Sequence, residues 1–535
     1  MKFSPAHRRR GAAILHLLFS ILIPFLAASA HAHIGSPNIF YEGTVAGHPV
    51  RVIIKPPGVI PGLADISVRV EGTGVQHVTV LPVFGETGKQ GSPSPDEAPL
   101  VRGETNLYTA SLWLMNRGAY SVHVGIESTQ GHGELVVPVN SLATVRGEMP
   151  MWMGAILAFL GVLLFVSFAS IIGAAATEAT QPPDALPSSR QRWLRSAWSV
   201  GAGSFALLAV AGGRSWWQAE DREYSERRLS RAWPARAEVQ NEDGRPVLHF
   251  KFDVPDGQHR EWSPLILDHG KWNHWFLIRQ PAQDVFVHLH PYKLGDRKFA
   301  AVLPPLPEGD YVLYADLTHE SGLYRTLTTT VTLPPTPEDW ARRWTRRAAN
   351  PNDPFCGVAL ATAATESRRD LDPDDAWHIE AAPPAPSADE ALVMNGFKMI
   401  WDRPPQLAAN REASLRFRFV DANGNPAPLE PYVGMAGHLV LRRSDGSVFV
   451  HTHPIGNISM ASQAILAARA ERPNANQSEL FASATNYARM ETNLTYEVSF
   501  PYAFPREGEY RLWLQFKHKG QVLTATYATE VVKLQ

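Results

Sequence analysis

One cysteine, Cys356, stands in 535 residues, so no internal disulfide framework holds this chain together. Neither charge is in excess. Lys+Arg number 50 against 52 Asp+Glu, a formal −2, which removes the basic footprint that nucleic-acid binding requires. No G-x-S-x-G nucleophile motif occurs in a strand-to-helix context. Consecutive strand-like runs take the place of the alternating βα pattern that an amidohydrolase barrel needs. Methionine is absent between Arg214 and Val393.

Proline (43) and glycine (39) are plentiful, which suits short strands separated by turns. The chain is long enough for about three domains. The pattern predicts a mainly β protein, three immunoglobulin-like β-sandwich domains plus two transmembrane helices. Residues 33–147 read as the first sandwich, 235–335 as the second and 390–535 as the third. Residues 336–388, rich in Pro, Asp, Arg and Ala, read as a linker with one short helix near Glu338.

Residues 1–32 read as a signal peptide. Lys2, Arg8, Arg9 and Arg10 precede an apolar run, and Ala28-Ser29-Ala30 offers a cleavage site. Cleavage after Ala30 leaves His31-Ala32-His33, whose amine and third-position histidine suit square-planar Cu(II). Residues 149–177 carry no charge and are long enough to span a bilayer. Residues 196–213 form a weaker span ending at Trp216-Trp217. Between them, loop 178–195 carries Arg190, Arg192 and Arg195, which favours a cytoplasmic loop. That topology puts the soluble units on the exported side, in the periplasm of a bacterium with its inner membrane as anchor.

The second and third units repeat one another. Val285-Phe286-Val287-His288-Leu289-His290-Pro291 in one matches Val448-Phe449-Val450-His451-Thr452-His453-Pro454 in the other. Pro307-Glu308-Gly309-Asp310-Tyr311 matches Arg506-Glu507-Gly508-Glu509-Tyr510, each Tyr being placed as in a tyrosine corner. Gly118-Ala119-Tyr120 is a fainter third version.

Two histidines two apart on a strand share a face. Centring a hairpin on Asp445-Gly446 sets His438 opposite His453, with His451 on the same face. Pairing His274 with His290 zips the first copy down to the loop Pro281-Ala282-Gln283, with His288 beside them. Leu439, Leu441, Val448 and Val450 then form the core face, as do Trp275, Leu277, Val285, Val287 and Leu289. The histidines lie on the face turned away from the core, partly covered because Val440 and Phe449 share it.

Three imidazoles within cross-strand reach suit zinc, copper or nickel. Met435, three residues before His438, and Met460, after His453, tilt the choice toward copper, with zinc as the alternative. The expected metal ligands are His274, His288 and His290 in the second unit, joined by His269 or His319. In the third they are His438, His451 and His453, with Met435 auxiliary. The competing reading is a hydrogen-bonded surface without metal. A JAMM-type zinc hydrolase also opens on HTHP, and Ser462 falls at its serine position. Its aspartate position is Ile465, however, and an open zinc site needs a third protein ligand and a base.

The stretch Leu429-Glu430-Pro431-Tyr432-Val433-Gly434-Met435-Ala436-Gly437-His438, with Asp445-Gly446-Ser447 through Pro454, resembles the YtkA-like/FixH-like family of exported bacterial β-sandwich proteins. Asp268-His269-Gly270-Lys271 through His274, with His288 and His290, resembles the same family's DHGK…H…HLHP form. The resemblance covers residues 235–335 and 390–535. It implies a membrane-linked protein serving copper handling or respiratory oxidase assembly, and the residues add the expectation of metal holding without catalysis. Its partner would be a periplasmic or membrane cuproprotein. A metal-independent membrane scaffold shares the same topology.

Overall fold

The computed structural model describes residues 38–178, 186–342, 372–380, 384–394, 396–473 and 495–533. Residues 1–32, read above as a signal peptide, with His31, His33 and Cys356, lie outside them. The described chain is mainly β, with six antiparallel sheets and two long apolar helices.

In the first unit, two four-stranded sheets enclose one core of Val, Ile and Leu side chains around Val52, Val80 and Val122. Helix α1 (Met151–Glu178) and helix α2 (Ser189–Glu223) follow, both long and apolar enough to cross a membrane. They approach closely where side chains are small. A Cβ on Gly173 would collide with Ser199 Oγ. Helix α2 outruns the apolar stretch 196–213 at both ends. A capping box between Ser188 and Gln191 starts it early, and it continues past Trp216 and Trp217.

The second unit carries strands β1 (His274–Arg279), β2 (Val285–Leu289), β3 (Gly309–Thr318), β4 (Tyr324–Leu333) and β5 (Ala376–Ile379). They form a sheet in the order β4-β3-β1-β2-β5. The third unit presents β6 (His438–Arg443), β7 (Phe449–Thr452), β8 (Gly508–His518) and β9 (Gln521–Val531), in the order β7-β6-β8-β9. Each sheet packs its Leu/Val face on its own unit's core. The tyrosine corners form in both repeats. Tyr311 Oη donates to the Pro307 carbonyl at 2.8 Å, and Tyr510 Oη to that of Arg506 at 2.9 Å. In the first unit Tyr120 Oη instead accepts from the Asn116 N–H, 3.0 Å away.

The hairpin registers agree with the turn counting. Trp275 faces Leu289 and Phe276 faces His288, which carries His274 opposite His290. Leu439 faces Thr452 and Val440 faces His451, which carries His438 opposite His453. The second turn is not a simple two-residue one. Gly446 takes the left-handed conformation (φ 76°) and its N–H bonds to the Arg443 carbonyl, while Asp445 keeps a negative φ.

The histidine faces turn away from their own cores, as expected, but they do not look out to solvent. They meet each other, burying Phe276, Ile278, Phe286, Tyr314, Val440, Phe449 and Trp513 between the repeats. The physical cause is the large apolar groups on those faces, worth about 25 cal/mol per Å² when removed from water. Tyr314 stacks on Phe449 at 3.7 Å, and Phe286 on Trp513 at 5.1 Å. Nor is 336–388 merely a linker. Within it, Ala376–Ile379 return as edge strand β5, pairing Val287 with Trp377 and His288 with Ala376.

An unanticipated helix, α3 (Met460–Glu471), follows the HTHP loop. The Ser459 side chain caps it, accepting from the Ser462 N–H. The same loop is clasped by the first unit. Glu42 N–H bonds to the Ile455 carbonyl at 2.8 Å, and the Phe40 N–H to Asn457 Oδ1 at 2.8 Å. The N-terminal unit thereby holds the chain immediately after His453.

Candidate metal centre

Stacking the two repeats brings both triads into one buried cluster. Among the described His, Cys, Asp and Glu side chains, three sets have ligand atoms within 4.8 Å of one another. They are His274/His288/His290, His438/His451/His453 and His290/Asp372/Asp375. His274 and His451, from opposite repeats, have ring centroids 5.5 Å apart. His269 joins from the second unit but leans on the third unit's triad, 4.9 Å from His453 and 5.7 Å from His438.

His319 is not part of this cluster. Its Nδ1 donates to the Ser263 carbonyl and its ring packs on Trp233 and Trp262. His518 does the same in the third unit, donating to the Pro428 carbonyl. Both are structural, and the expectation for His319 as a ligand is corrected. Met435 is buried in the turn it shares with Tyr432, and Met460 opens α3.

Hydrogen bonds decide which ring nitrogens remain free. His451 Nδ1 stands 3.1 Å from the Asp316 carboxylate, an acceptor, so this nitrogen carries a proton, and in the neutral ring that ligation requires Nε2 is the bare one. His438 Nε2 stands 3.0 Å from the Tyr432 carbonyl, which only accepts, so His438 Nδ1 is bare. These two bare nitrogens face each other at 3.0 Å. Opposed lone pairs repel, and in a dry interior the repulsion is poorly screened. A cation between them removes it.

In the second unit His288 Nδ1 donates to Gln515 Oε1 at 2.8 Å, since that amide's nitrogen is turned to Thr524. His288 Nε2 is therefore bare and meets His274 Nδ1 at 3.1 Å. Asp375 accepts both the backbone N–H and the ring Nδ1 of His290, while its other oxygen accepts the Asp372 N–H. This leaves His290 Nε2 buried with no partner, as are His274 Nε2 and His269 Nε2. A carboxylate on the far nitrogen of a metal-binding imidazole fixes its tautomer and raises its basicity. Asp316 and Asp375 stand in that position, so the His290/Asp372/Asp375 set is better understood as support for His290 than as a separate ion site.

Burial sets the charge state. It pushes His274, His288, His290, His438 and His453 well below the usual histidine range, and repulsion among the neighbouring rings adds to it. The rings are thus kept neutral, as metal ligation requires. Burial also pushes Asp375 well above the usual carboxylate range, with Asp372 adding to the shift. Burial works to lower Lys271, but Asp372 and Asp374 beside it outweigh that and hold its ammonium above its ordinary value.

The hydrolase elements do not assemble. Ser462 lies in the first turn of α3, and its hydroxyl donates to the Gly322 carbonyl. Ile465, where an aspartate ligand would stand, packs against Ile266 and Ala461.

Asp372 and Asp375 were missed in sequence because they precede a strand inside a Pro-rich segment. The alternation in Ala376-Trp377-His378-Ile379 was the available signal.

Residues 392–533 match a family described as a domain of unknown function, DUF8832. No curated relative matches the chain. Among solved structures, an engineered protein is 24% identical over 17% of this chain and 19% of its own, with a TM-score of 0.14. Dimeric latent PorU from Porphyromonas gingivalis is 8% identical over 93% of this chain and 34% of its own, TM-score 0.13. An endo-fucoidan hydrolase of glycoside hydrolase family 107 is 8% identical over 90% and 43%, TM-score 0.13. The chain thus spans less than half of each of these three, and likeness at this level carries neither fold family nor function.

Proposed function

We propose that this chain is a membrane-anchored periplasmic metal-binding protein that holds or passes copper without catalysis. Two immunoglobulin-like sandwiches of the YtkA-like/FixH-like kind would house the ion, and a third would brace them. One observation carries the reading, the bare nitrogens of His438 and His451 opposed at 3.0 Å inside a buried cluster. A proton between them, with the Asp316 carboxylate 3.1 Å from His451 as counter-ion, is the competing occupant that metal analysis distinguishes. A metal with four or fewer ligands suits the donor set.

Imidazole accepts zinc, copper and nickel alike. Copper is favoured by the buried thioethers of Met435 and Met460 close in sequence to the third unit's ligands. Delivery to a cuproprotein, including an oxidase under assembly, fits a site on a membrane anchor. A metal-independent scaffold is the second reading, favoured by the hold of α3 and the HTHP loop on the other two units.

Metal analysis of the full-length protein in detergent, after separate exposure to copper, zinc and nickel, tests the proposal. Bound copper that falls in the double variant His451→Ala/His453→Ala is expected. No retained metal under any of the three conditions sinks it.

A further inference from the structure

The two triads are not equally placed. A cleft of about 610 Å³ opens between the three units and is lined by His269, His274, His451 and His453. His288, His290 and His438 do not line it. His288 is fully buried and lies behind Gln515 and Tyr432, and His290 behind Asp375. The cleft also passes Trp233, ten residues beyond the end of helix α2.

His269 is held at this cleft by a built turn. Asp268 and Lys271 exchange backbone hydrogen bonds at 2.9 Å in both directions. The Asp268 carboxylate accepts from the Ala461 N–H of α3 at 3.2 Å and from Thr318 Oγ1 at 3.3 Å. His269 itself sits at φ 52°, a left-handed conformation that a side-chain-bearing residue adopts at a cost. Its side chain is 3% exposed and its Nε2 has no hydrogen-bond partner. A strained backbone, a buried Nε2 that makes no hydrogen bond and stands 3.7 Å from the Asp268 carboxylate, and a ring 4.9 Å from His453 together place a fourth imidazole on the third unit's triad, supplied by the other repeat.

We infer that the cluster is two ion sites in series. The outer site is His438, His451 and His453, completed across the interface by His269. The inner site is His274, His288 and His290, and an ion reaches it through the outer one. His274 is the hand-over ligand. It lines the cleft, its Nδ1 meets His288, and its ring lies 5.5 Å from His451 and 6.0 Å from His269. The outer site spans both repeats, so an ion there also fastens them together.

This inference rests on the metal-binding reading, and the test separates the two. Full-length protein in detergent, stripped with chelator, is titrated with Cu(II) and followed by electron paramagnetic resonance and bound-metal analysis. Two equivalents bind, the first with the nitrogen hyperfine pattern of four imidazoles. In His269→Ala the affinity for the first equivalent drops about tenfold or more, by the scale of lost metal-site contacts. His269→Gln, which fills the same space, does likewise. His290→Ala loses the second equivalent and keeps the first. His453→Ala fills the inner site more slowly than wild type when the bound signal is followed in time after mixing with copper. His378→Ala, away from the cluster, behaves as wild type.

Absence of any bound copper would overturn the metal reading itself. Two bound ions with unchanged first-ion affinity in both His269 variants would overturn the series alone, as would loss of the first ion in His290→Ala.

Discussion

His451 of the third unit donates its Nδ1–H to Asp316 of the second, 3.1 Å away across the interface. The contact has a reciprocal. Asp316 stands opposite His274 on β3, Gln515 stands opposite His438 on β8, and Gln515 takes the Nδ1–H of His288 at 2.8 Å. Each repeat thus orients the middle histidine of the other. The symmetry is broken in charge, a carboxylate on one side and an amide on the other.

The charge difference makes Asp316 a tuning group. Replacing it by Asn keeps the hydrogen bond and removes the charge, which weakens the basicity of His451 Nε2. Asp316→Asn should lower copper affinity at the His438/His451/His453 site by about 10- to 100-fold, the usual cost of losing such a partner. Competition with a chromophoric chelator measures it. Wild-type affinity would show that Asp316 does not act through His451.

Acid should destabilise the metal-free protein. Burial pushes His319 down from 6.5 to about 4 and carries the cluster histidines in the same direction. With folded values below unfolded ones, the unfolded chain binds more protons once the pH falls below 6.5. The stability is complete above that value and is lost progressively beneath it. His319 alone accounts for roughly 3 kcal/mol across its window, at 1.36 kcal/mol per unit. Urea melts of the stripped protein at about pH 7.5 and about pH 5 should show a clear drop in midpoint at the lower value. Equal midpoints would contradict the burial of these rings.

Ser462 should matter to stability and not to chemistry. Its hydroxyl secures α3 to the Gly322 carbonyl. Ser462→Ala should cost on the order of 1 kcal/mol, the net worth of a hydrogen bond, and leave copper binding untouched. Loss of bound metal without a change in melting would revive the hydrolase arrangement.

The hairpins were legible in the sequence because they are local. The loops around Asp445-Gly446 and Pro281-Ala282-Gln283 sit between alternating strands, and period two then assigns every side chain to a face. The meeting of the two histidine faces was not legible. It is a long-range pairing, and the one-chain hint was that Phe276, Phe286, Val440 and Phe449 share the face with the histidines. His269 was placed in the second unit by sequence proximity, whereas packing gives it to the third. Helix α3 had a signal in Ser459 followed by an Ala-rich run, masked by the β character around it. Asp375 had none beyond the strand-like tetrapeptide that follows it.

The most direct measurement is anomalous diffraction at the copper edge from crystals of the copper-loaded protein. A bound ion gives a peak about 2 Å from both His438 Nδ1 and His451 Nε2, the usual metal–imidazole distance. Ordered rings at that spot with no peak between them, in protein exposed to excess copper, would contradict it.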